Sequence, residues 1–245
     1  MSPPVDLSHL RAIDLTLVLY DPADPFGKLL AAASLVPIAL LVSYATLLLF
    51  RRDIATGVML LGQLLNEAFN MLLKNSIRER RPTAHLGEGY GMPSSHAQFI
   101  AYFSVYLILY TYRRLTFESS YWKNVIAAVL CAVMVAVSYS RIHLHYHSPE
   151  QAAVGVVIGT LFGMCWYFLS QHLILPLISY TQLLESGLFK FFLVRDTRGI
   201  PNLLKHEWTS TREELQRLAD EKSKPRSARR LSSHNSKATA ASKKD

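Results

Sequence analysis

The chain has 245 residues and a formal net charge of +8; half of its residues are hydrophobic, 18% are charged, and the mean hydropathy is +0.17. A soluble domain usually carries about a quarter of its residues as charges, whereas residues 29–50 and 151–184 contain no Asp, Glu, Lys or Arg. Because a bilayer span needs about 20 apolar residues, the composition excludes a soluble fold and predicts an all-α, multi-span membrane helix bundle.

Three regions are predicted along the chain. Residues 1–28 form an acidic N-terminal arm, residues 29–200 a membrane-embedded domain, and residues 201–245 a basic tail. The membrane domain contains five apolar spans, at about 29–50, 54–73, 97–112, 124–139 and 152–171. The third and fourth spans are short, and we expect them to extend into their polar flanks. The segment 173–193 carries a proline and two charged residues, and it is either a kinked span or an interfacial helix.

The basic residues of the loops predict which way the spans run. Basic side chains cluster between spans one and two and between spans three and four: Arg51, Arg52, Arg113, Arg114 and Lys123. Because basic loops stay in the cytosol, five spans place these loops and the tail on the cytosolic side and the N-terminal arm on the opposite side. The basic loop 74–96 must then also lie opposite the cytosol, so we expect its charges to serve another purpose.

Residues 222–244 of the tail contain eight Lys and Arg residues and no acid. They are rich in Ser and Ala and hold too few apolar side chains to bury a core, so we expect the tail to be largely disordered. A basic tail beside a membrane protein marks the cytosolic side or contacts anionic lipid, and we expect no nucleic-acid partner.

Span five repeats Gly155, Gly159 and Gly163 at four-residue spacing. Small residues at this spacing let another helix backbone approach closely. The pattern favours packing inside the bundle over a dimer interface, and it leaves the oligomeric state open.

Span two carries a stripe of polar residues on one face. The stripe consists of Gln63, Asn66, Glu67 and Asn70 and continues through Lys74, Arg78 and Arg81. If the helix persists to Pro82, which would end it, Lys74 and Arg81 lie two turns apart on nearly the same side. Because polar groups inside a membrane normally face a bundle interior or a wet cavity, the stripe either joins helices or leads to an anion site.

Two further polar clusters lie directly before spans three and five. The sequence P-S-S-H, which ends at His96, precedes span three; a serine there can cap the helix, whose free N–H groups attract an anion. Before span five stand Ser140, Arg141, His143, His145 and His147. We expect no metal at these histidines, because cysteine is missing from the cluster, acids are sparse and Arg141 would repel a cation.

All three clusters are predicted at one membrane face. Together they supply three cations, two serines and two histidines: Lys74, Arg81, Arg141, Ser94, Ser95, His96 and His147. Charge-assisted donors of this kind bind phosphoryl oxygens, and guanidinium groups match the geometry of those oxygens. Paired histidines in such an anion site predict phosphoryl transfer without a cofactor.

The three clusters form a pattern that resembles a known family signature. They are written K-x6-R-P from Lys74, P-S-S-H from Pro93 and S-R-x5-H from Ser140, and they resemble the three-part signature of the type 2 phosphatidate phosphatase superfamily, which comprises metal-independent lipid phosphatases. A narrower resemblance rests on YGMPSSH at 90–96, VSYSR at 137–141 and FFLVRDT at 191–197. These segments are similar to the dolichyldiphosphatase family of the endoplasmic reticulum, which removes one phosphate from dolichyl diphosphate.

The resemblance implies a role for each site residue. His147 would attack the phosphorus and form a phosphohistidine, and His96 would protonate the leaving oxygen. Five residues would bind the phosphoryl oxygens: Lys74, Arg81, Ser94, Ser95 and Arg141. The implied partners are the bilayer and dolichyl diphosphate, whose hydrolysis recycles the glycan carrier lipid for protein N-glycosylation. The implied location is the endoplasmic reticulum membrane, with the active site and the N-terminal arm in the lumen.

Two positions depart from the superfamily pattern. Ser95 stands where many members have Gly, and Gln151 stands where they have Asp. A carboxylate there would orient His147 and stabilise its positive charge, whereas Gln151 supports the ring orientation only. The dolichyldiphosphatase family shares this departure, and a diphosphate needs a less activated nucleophile because its leaving group is itself a phosphate. We interpret the neighbouring Glu150 as a flanking charge rather than as a replacement for Asp.

Other functions stay open at this point. A broader lipid monophosphate phosphatase, acting on phosphatidate or sphingoid phosphates, would share the signature. A site that binds or moves lipids without chemistry would not need His96 and His147, and an adaptor built on the basic tail would explain none of the three clusters. For Arg195 and Asp196 the sequence allows either a membrane-surface segment or a pair that ties the tail to the bundle.

Overall fold

The structure is a computed structural model that describes residues 18–83, 89–117, 119–200 and 202–223. Over these ranges the chain is helical and forms no β-strand, apart from one isolated parallel bridge between Asp53 and Arg195. The chain divides into two compact units, one ending at Gly199 and one beginning at Ile200. The prediction of an all-α fold is therefore confirmed.

Five long helical stretches form the bundle of the first unit. They are α1 (Gly27–Ser34) followed after Leu35 by α2 (Val36–Phe50), then α3 (Ile54–Ile77), α4 (Ser95–Arg114), α5 (Tyr121–His143) and α6 (Pro149–Leu169). Short pieces follow: a π-helical turn (Ser170–Ile174), α7 (Leu175–Tyr180), a 3-10 turn (Leu183–Glu185) and α8 (Gly187–Phe191). As expected, α4 and α5 extend beyond the short apolar segments that predicted them.

Three of these helical stretches are long and apolar enough to cross a membrane. They are Gly27–Phe50, Tyr121–His143 and Pro149–Tyr180. Helices α3 and α4 have 24 and 20 residues and pack against these stretches, and they bury Gln63, Asn66, Asn70 and Gln98 in the bundle. The prediction of a membrane helix bundle is confirmed.

The glycines of α6 bring its backbone against α4. A Cβ on Gly155 would lie 2.7 Å from the carbonyl oxygen of Ser94, and a Cβ on Gly163 would lie 3.0 Å from that of Tyr102. A Cβ on Gly159 would overlap the carbonyl group of Gln98. The glycine stripe therefore packs inside the bundle, which is the alternative that the pattern favoured.

The polar stripe of α3 joins this helix to α4 along its membrane part. Gln98 of α4 donates from Nε2 to the backbone oxygen and to Oδ1 of Asn66, at 3.0 and 2.9 Å, and its Oε1 accepts from Asn70 Nδ2 at 2.7 Å. These side chains are fully buried and join α3 to α4. One turn further along α3, Lys74 reaches Ser95 instead. The membrane part of the stripe thus joins helices, and its end belongs to a different cluster.

The segment after α6 returns to the loop between α2 and α3. The π-helical turn and α7 continue the line of α6 as far as Tyr180, so residues 173–193 form short helical pieces rather than a separate span. Arg195 then pairs through its backbone with Arg52 and Ile54, at 3.0 Å each. Asp53 Oδ1 accepts from Thr197 Oγ1 at 2.7 Å, while Asp53 Oδ2 caps α3 by accepting from Thr56 N at 3.3 Å.

The carboxylate of Asp196 is held by Arg198. It accepts hydrogen bonds from Arg198, whose guanidinium also donates to Ser179 Oγ at 2.8 Å. The hydrogen bond from Arg198 lowers the pKa of Asp196 below its ordinary value. The segment 195–198 is therefore fastened to the bundle by its backbone and by Arg198, which the sequence did not indicate.

The second unit contains α9 (Leu203–Ser223). Its surface carries helix-compatible pairs: Arg217 lies near Glu214 and Glu221, at 3.4 and 3.7 Å, and Arg212 stacks over Trp208. Pairs three and four residues apart stabilise a helix, so this part of the predicted disordered tail is helical. Residues 224–245, like the first 17 residues of the N-terminal arm, lie outside the described ranges, and the domain boundaries stay predictions.

Candidate active site

The three sequence clusters meet at one end of the bundle. This end is formed by the C-terminal end of α3, the start of α4 and the turn between α5 and α6. Lys74 Nζ lies 3.4 Å from Ser95 Oγ, and the backbone N–H of Ser94 donates to the carbonyl oxygen of Gln151 at 3.0 Å. The backbone N–H of His147 donates to the carbonyl oxygen of Arg141 at 3.0 Å. Side chains more than 70 positions apart in sequence therefore share one site.

Helix α3 ends before it reaches Arg81. Its last residue is Ile77, and Arg78 adopts a left-handed conformation with φ of 56°. The helix therefore does not persist to Pro82, because the left-handed turn at Arg78 redirects the chain. Pro82 also disfavours helical geometry at Arg81. Arg81 reaches the site from an extended segment, which is anchored where Gly91 N donates to the carbonyl oxygen of Glu79 at 2.7 Å.

Three cations surround the site, and each is at least partly buried. Arg141 is 4% exposed, donates from one terminal nitrogen to Ser34 Oγ at 3.3 Å, and stacks over the ring of Tyr146 at 3.9 Å. Lys74 and Arg81 are partly buried, and burial lowers the pKa of Arg81 below its ordinary value.

Several buried donors at this site have no protein acceptor within the described residues. They are Arg81 Nε, Arg141 Nε and Ser94 Oγ. A buried polar group without a partner costs about 1–3 kcal/mol, so native structures rarely leave one unsatisfied without a reason. Two guanidinium N–H groups and a hydroxyl beside a third cation fit the oxygens of a phosphoryl group.

His147 lies among these cations and is 2% exposed. Its Nδ1 is 3.1 Å from Gln151 Oε1. The amide of Gln151 can be oriented from its other contacts, because Nε2 lies 2.8 Å from Glu79 Oε1 and 2.9 Å from the carbonyl oxygen of Arg80, and both of these atoms are acceptors. Gln151 Oε1 is therefore the acceptor, His147 Nδ1 carries the proton, and His147 Nε2 has a free lone pair.

The surroundings keep the imidazole of His147 neutral. Burial, reinforced by the positive charges of Arg81 and Arg141, lowers its pKa to about 3, although the hydrogen bond with Gln151 acts in the opposite direction. A neutral imidazole with a free Nε2 is a nucleophile at physiological pH.

His96 lies in the first turn of α4 and faces the same cluster. It interacts electrostatically with Arg141, His147, Lys74 and Arg81. Ser94 occupies the N-cap position of α4, but its side chain makes no capping hydrogen bond, so the expected serine cap is not formed. Ser94 Oγ is thereby left available to the site, next to the positive end of the helix dipole.

Other predicted candidates lie outside the centre. His145 is exposed, and His143 Nε2 pairs with Asp24 Oδ2 at 2.6 Å. Glu150 is exposed on the first turn of α6, as a flanking charge would be. Across the described residues no three or more His, Cys, Asp and Glu side chains are grouped closely enough to hold a metal ion.

Three residues that contact the site are not indicated by the sequence motifs. Ser34 and Tyr146 hold Arg141, and Glu79 contacts Gln151. Ser34 lies in an apolar helix and gives no signal of its own. Glu79 lies inside the K-x6-R-P segment. There it is a lone acid among four basic residues, and this was the one sequence feature that could have pointed to it.

Comparisons with known proteins identify relatives of this chain. A model of the PAP2 superfamily matches residues 54–174. Dolichyldiphosphatase 1 of Homo sapiens is 40% identical over 214 residues, which cover 83% of this chain and 89% of the human protein. Dolichyldiphosphatase of Saccharomyces cerevisiae is 31% identical over 228 residues, which cover 86% of this chain and 92% of the yeast protein.

A solved structure is similar in fold. It is the transmembrane PAP2-type phosphatidylglycerolphosphate phosphatase of Bacillus subtilis, which superimposes with a TM-score of 0.51 at 19% identity. The match covers 62% of this chain and 80% of the bacterial one.

Proposed function

Because the chain belongs to the dolichyldiphosphatase family within the PAP2 superfamily, we propose that it hydrolyses dolichyl diphosphate to dolichyl phosphate and inorganic phosphate. The observation that carries this proposal is the setting of His147. Its Nε2 is free while its Nδ1 is held by Gln151, and Lys74, Arg81 and Arg141 lie close enough to act on it electrostatically.

Substrate binding rests on charge compensation. The charge of the terminal phosphate is neutralised by three cations, Lys74, Arg81 and Arg141. The phosphate also accepts hydrogen bonds from Ser94 and Ser95. A phosphoryl-transfer transition state spreads negative charge over three oxygens, so positioning and electrostatic stabilisation supply most of the catalysis. The buried N–H groups of Arg81 and Arg141 without protein acceptors are preorganised for this task.

The reaction proceeds in two steps. His147 Nε2 attacks the terminal phosphorus in line, the bond from that phosphorus to the bridging oxygen breaks, and His96 donates a proton to the leaving dolichyl phosphate. A phosphohistidine remains. Neutral His96 then takes a proton from water, the water oxygen attacks the phosphorus, and the phosphorus–nitrogen bond breaks to release inorganic phosphate. Throughout, the Nδ1 proton of His147 stays on its hydrogen bond to Gln151.

The lipid part of the substrate remains in the bilayer. Withdrawing a polyprenol chain from lipid would cost about 0.8 kcal/mol per CH₂, so the head group must come to the site while the chain lies between the helices and the surrounding lipid. The site lies at the end of the bundle, where a head group is accessible. We place the enzyme in the endoplasmic reticulum membrane with this end in the lumen, where it returns the carrier lipid used in protein N-glycosylation.

The direct test is phosphate release from dolichyl diphosphate by the purified full chain with a chelator present. We expect release in the parent and none in His147→Ala. His145→Asn is the matched control, because His145 is an exposed histidine of the same turn with a φ of 58°, a conformation that Asn tolerates. Phosphate release by His147→Ala at the parent rate would overturn the assignment of the nucleophile.

The same assay separates this proposal from its alternatives. A broader lipid monophosphate phosphatase would hydrolyse phosphatidate with a kcat/KM at least equal to that for dolichyl diphosphate, and we expect a lower one. A site that only binds lipid would release no phosphate in the parent either. Lipid binding that persists in His147→Ala while turnover stops supports catalysis by His147.

A further inference from the structure

Behind Gln151 lies the carboxylate of Glu79. This residue stands inside the K-x6-R-P segment, but it has been assigned no role in substrate binding or catalysis. Glu79 Oε1 accepts from Gln151 Nε2 at 2.8 Å, and Gln151 Oε1 lies 3.1 Å from His147 Nδ1. We propose that Glu79 is a positioning residue for His147 that acts through Gln151. This inference rests on the proposed function, because it assigns a part in the same reaction to a further residue.

The contacts of the Gln151 side chain fix which way its amide points. Gln151 Nε2 donates to two acceptors, Glu79 Oε1 and the carbonyl oxygen of Arg80. Its Oε1 faces two donors, His147 Nδ1 and, at 3.4 Å, the backbone N–H of Ser148. An amide flip would turn a carbonyl oxygen towards the Glu79 carboxylate and an NH₂ group towards two donors. Glu79, together with the Arg80 carbonyl and the Ser148 N–H, therefore favours the amide orientation that keeps the proton of His147 on Nδ1.

The negative charge of Glu79 also bears on the charge that His147 acquires during the reaction. The imidazole becomes positively charged as the phosphohistidine forms, and the three nearby cations oppose that charge. An anion in contact with the far end of the Gln151 amide polarises the amide, which strengthens its acceptance from His147 Nδ1. Glu79 thus places a negative charge one amide away from the ring. Glu150, although adjacent to Gln151 in sequence, is exposed on the first turn of α6.

Glu79 is itself held in place through its backbone. Its backbone oxygen accepts from Gly91 N at 2.7 Å, and a Cβ on Gly91 would lie 2.6 Å from Gln151 Oε1. Gly91 therefore packs directly against Gln151 while it anchors the backbone of Glu79. Residue 79 as a whole is exposed, so a change of its side chain leaves the backbone anchor in place.

The test begins with Glu79→Gln, which keeps the side-chain length and removes the charge. We expect kcat for dolichyl diphosphate to fall on the order of 10-fold, a loss typical for partners that orient a histidine from behind, with KM unchanged because no phosphate-binding group is altered. Glu150→Gln removes an acid next to Gln151 without touching its amide, and we expect parent kinetics. An unchanged kcat in Glu79→Gln, in a parent that hydrolyses the substrate, would overturn the proposal.

A double-substitution cycle distinguishes positioning from a general structural role. Gln151→Met removes the amide that links Glu79 to His147, so Glu79→Gln should cause no further loss of kcat in that background. An equal fall in both backgrounds would mean that Glu79 acts independently of Gln151, against the proposal.

A readout without turnover keeps this test separate from that of the proposed function. The ¹⁵N chemical shifts of His147 report which ring nitrogen carries the proton. We expect the Nδ1–H tautomer to be more populated in the parent than in Glu79→Gln, because Glu79→Gln removes the charged acceptor and leaves only the Arg80 carbonyl and the Ser148 N–H to favour this orientation of Gln151. An unchanged tautomer in Glu79→Gln would refute the positioning role, whereas a parent that releases no phosphate from dolichyl diphosphate would refute the function alone.

Discussion

Arg141 is the most firmly held of the three cations around His147. Its guanidinium is stacked on Tyr146 and bonded to Ser34, while Nε remains unpaired by protein within the described residues. A planar guanidinium can stack and donate in a fork at the same time, whereas an ammonium group cannot. The position therefore requires arginine in particular and not merely a positive charge.

Arg141→Lys should accordingly lower kcat/KM for dolichyl diphosphate. Replacing charge-assisted hydrogen bonds worth about 1.5–3 kcal/mol by a poorly placed ammonium predicts a loss of about 10- to 100-fold. Arg113→Lys, an exposed change at the opposite end of the bundle, should keep the parent value. Parent-like kinetics in Arg141→Lys would remove Arg141 from the phosphate site.

The lowered pKa of His147 also predicts how stability depends on pH. Its ordinary pKa is about 6.5 and its folded pKa is about 3, so between these values the unfolded chain binds a proton that the folded chain does not. Stability therefore falls as the pH falls below 6.5, by up to about 2 kcal/mol at pH 5 from this residue.

His147→Asn should lose less stability between pH 7 and pH 5 than the parent, because its amide N–H replaces Nδ1–H without titrating. Thermal unfolding at the two pH values, in the same detergent, measures the difference. Equal losses in both proteins would contradict a buried neutral imidazole at this position.

Residue patterns predicted most of this cluster because its members stand in short local motifs. The family resemblance drawn from those motifs is confirmed by the relatives. Tyr146 and Glu79 were not predicted, because their importance comes from contacts formed only in the fold. Gln151 and Glu79 are 72 positions apart, and no spacing rule connects an amide on α6 with an acid beyond the end of α3.

At the scale of helices, the contact between α4 and α6 has little tolerance for added volume. The hypothetical Cβ atoms on the α6 glycines meet mainly the backbone of α4, which cannot move aside as a flexible side chain can. Gly155, the first of these glycines, meets the turn of α4 that begins at Ser94, so this contact also determines where the start of α4 lies relative to the site.

Gly159→Val should destabilise the fold by about 1–3 kcal/mol, the usual cost of overpacking a filled interior. Gly57→Ala is the matched control: it lies in α3, and its Cβ would meet only one side-chain atom of Leu48, at 3.7 Å. We expect that control to be neutral or slightly stabilising. A thermal unfolding temperature for Gly159→Val equal to the parent would contradict close α4–α6 packing.

Hydropathy predicted the existence of the long helices better than their ends. The break at Leu35 and the end of α3 at Ile77 depend on local backbone geometry and on packing, which the apolar pattern does not record. Helix α9 lacks an apolar span and follows instead from good helix formers with Arg–Glu pairs along its surface.

At the scale of the whole bundle, the two ends differ in what their charges do. At the site end, Asp24 pairs with His143, and the backbone N–H of Leu19 donates to Tyr146 Oη at 2.9 Å, so the described part of the N-terminal arm lies at this end. At the other end, the 51–53 loop pairs with residues 195–197. At the site end Lys74, Arg81 and Arg141 act electrostatically on His147, while the basic residues of the other end lie in the loops that the sequence predicts to be cytosolic.

This division predicts the sidedness of the chain. The five crossings predicted from the sequence, from the stretch α1–α2 to α6, put the 51–53 loop and the α4–α5 connection on one side and the site on the other. The bundle unit ends at Gly199, just after residues fastened to the 51–53 loop. A tag after residue 245 should therefore be digested by protease in sealed endoplasmic reticulum vesicles without detergent. An Asn-x-Ser acceptor placed before Leu19 should be glycosylated, whereas one in the α4–α5 connection should not. Protection of the C-terminal tag would require an even number of crossings and would reverse the assignment of the site to the lumen or of the tail to the cytosol.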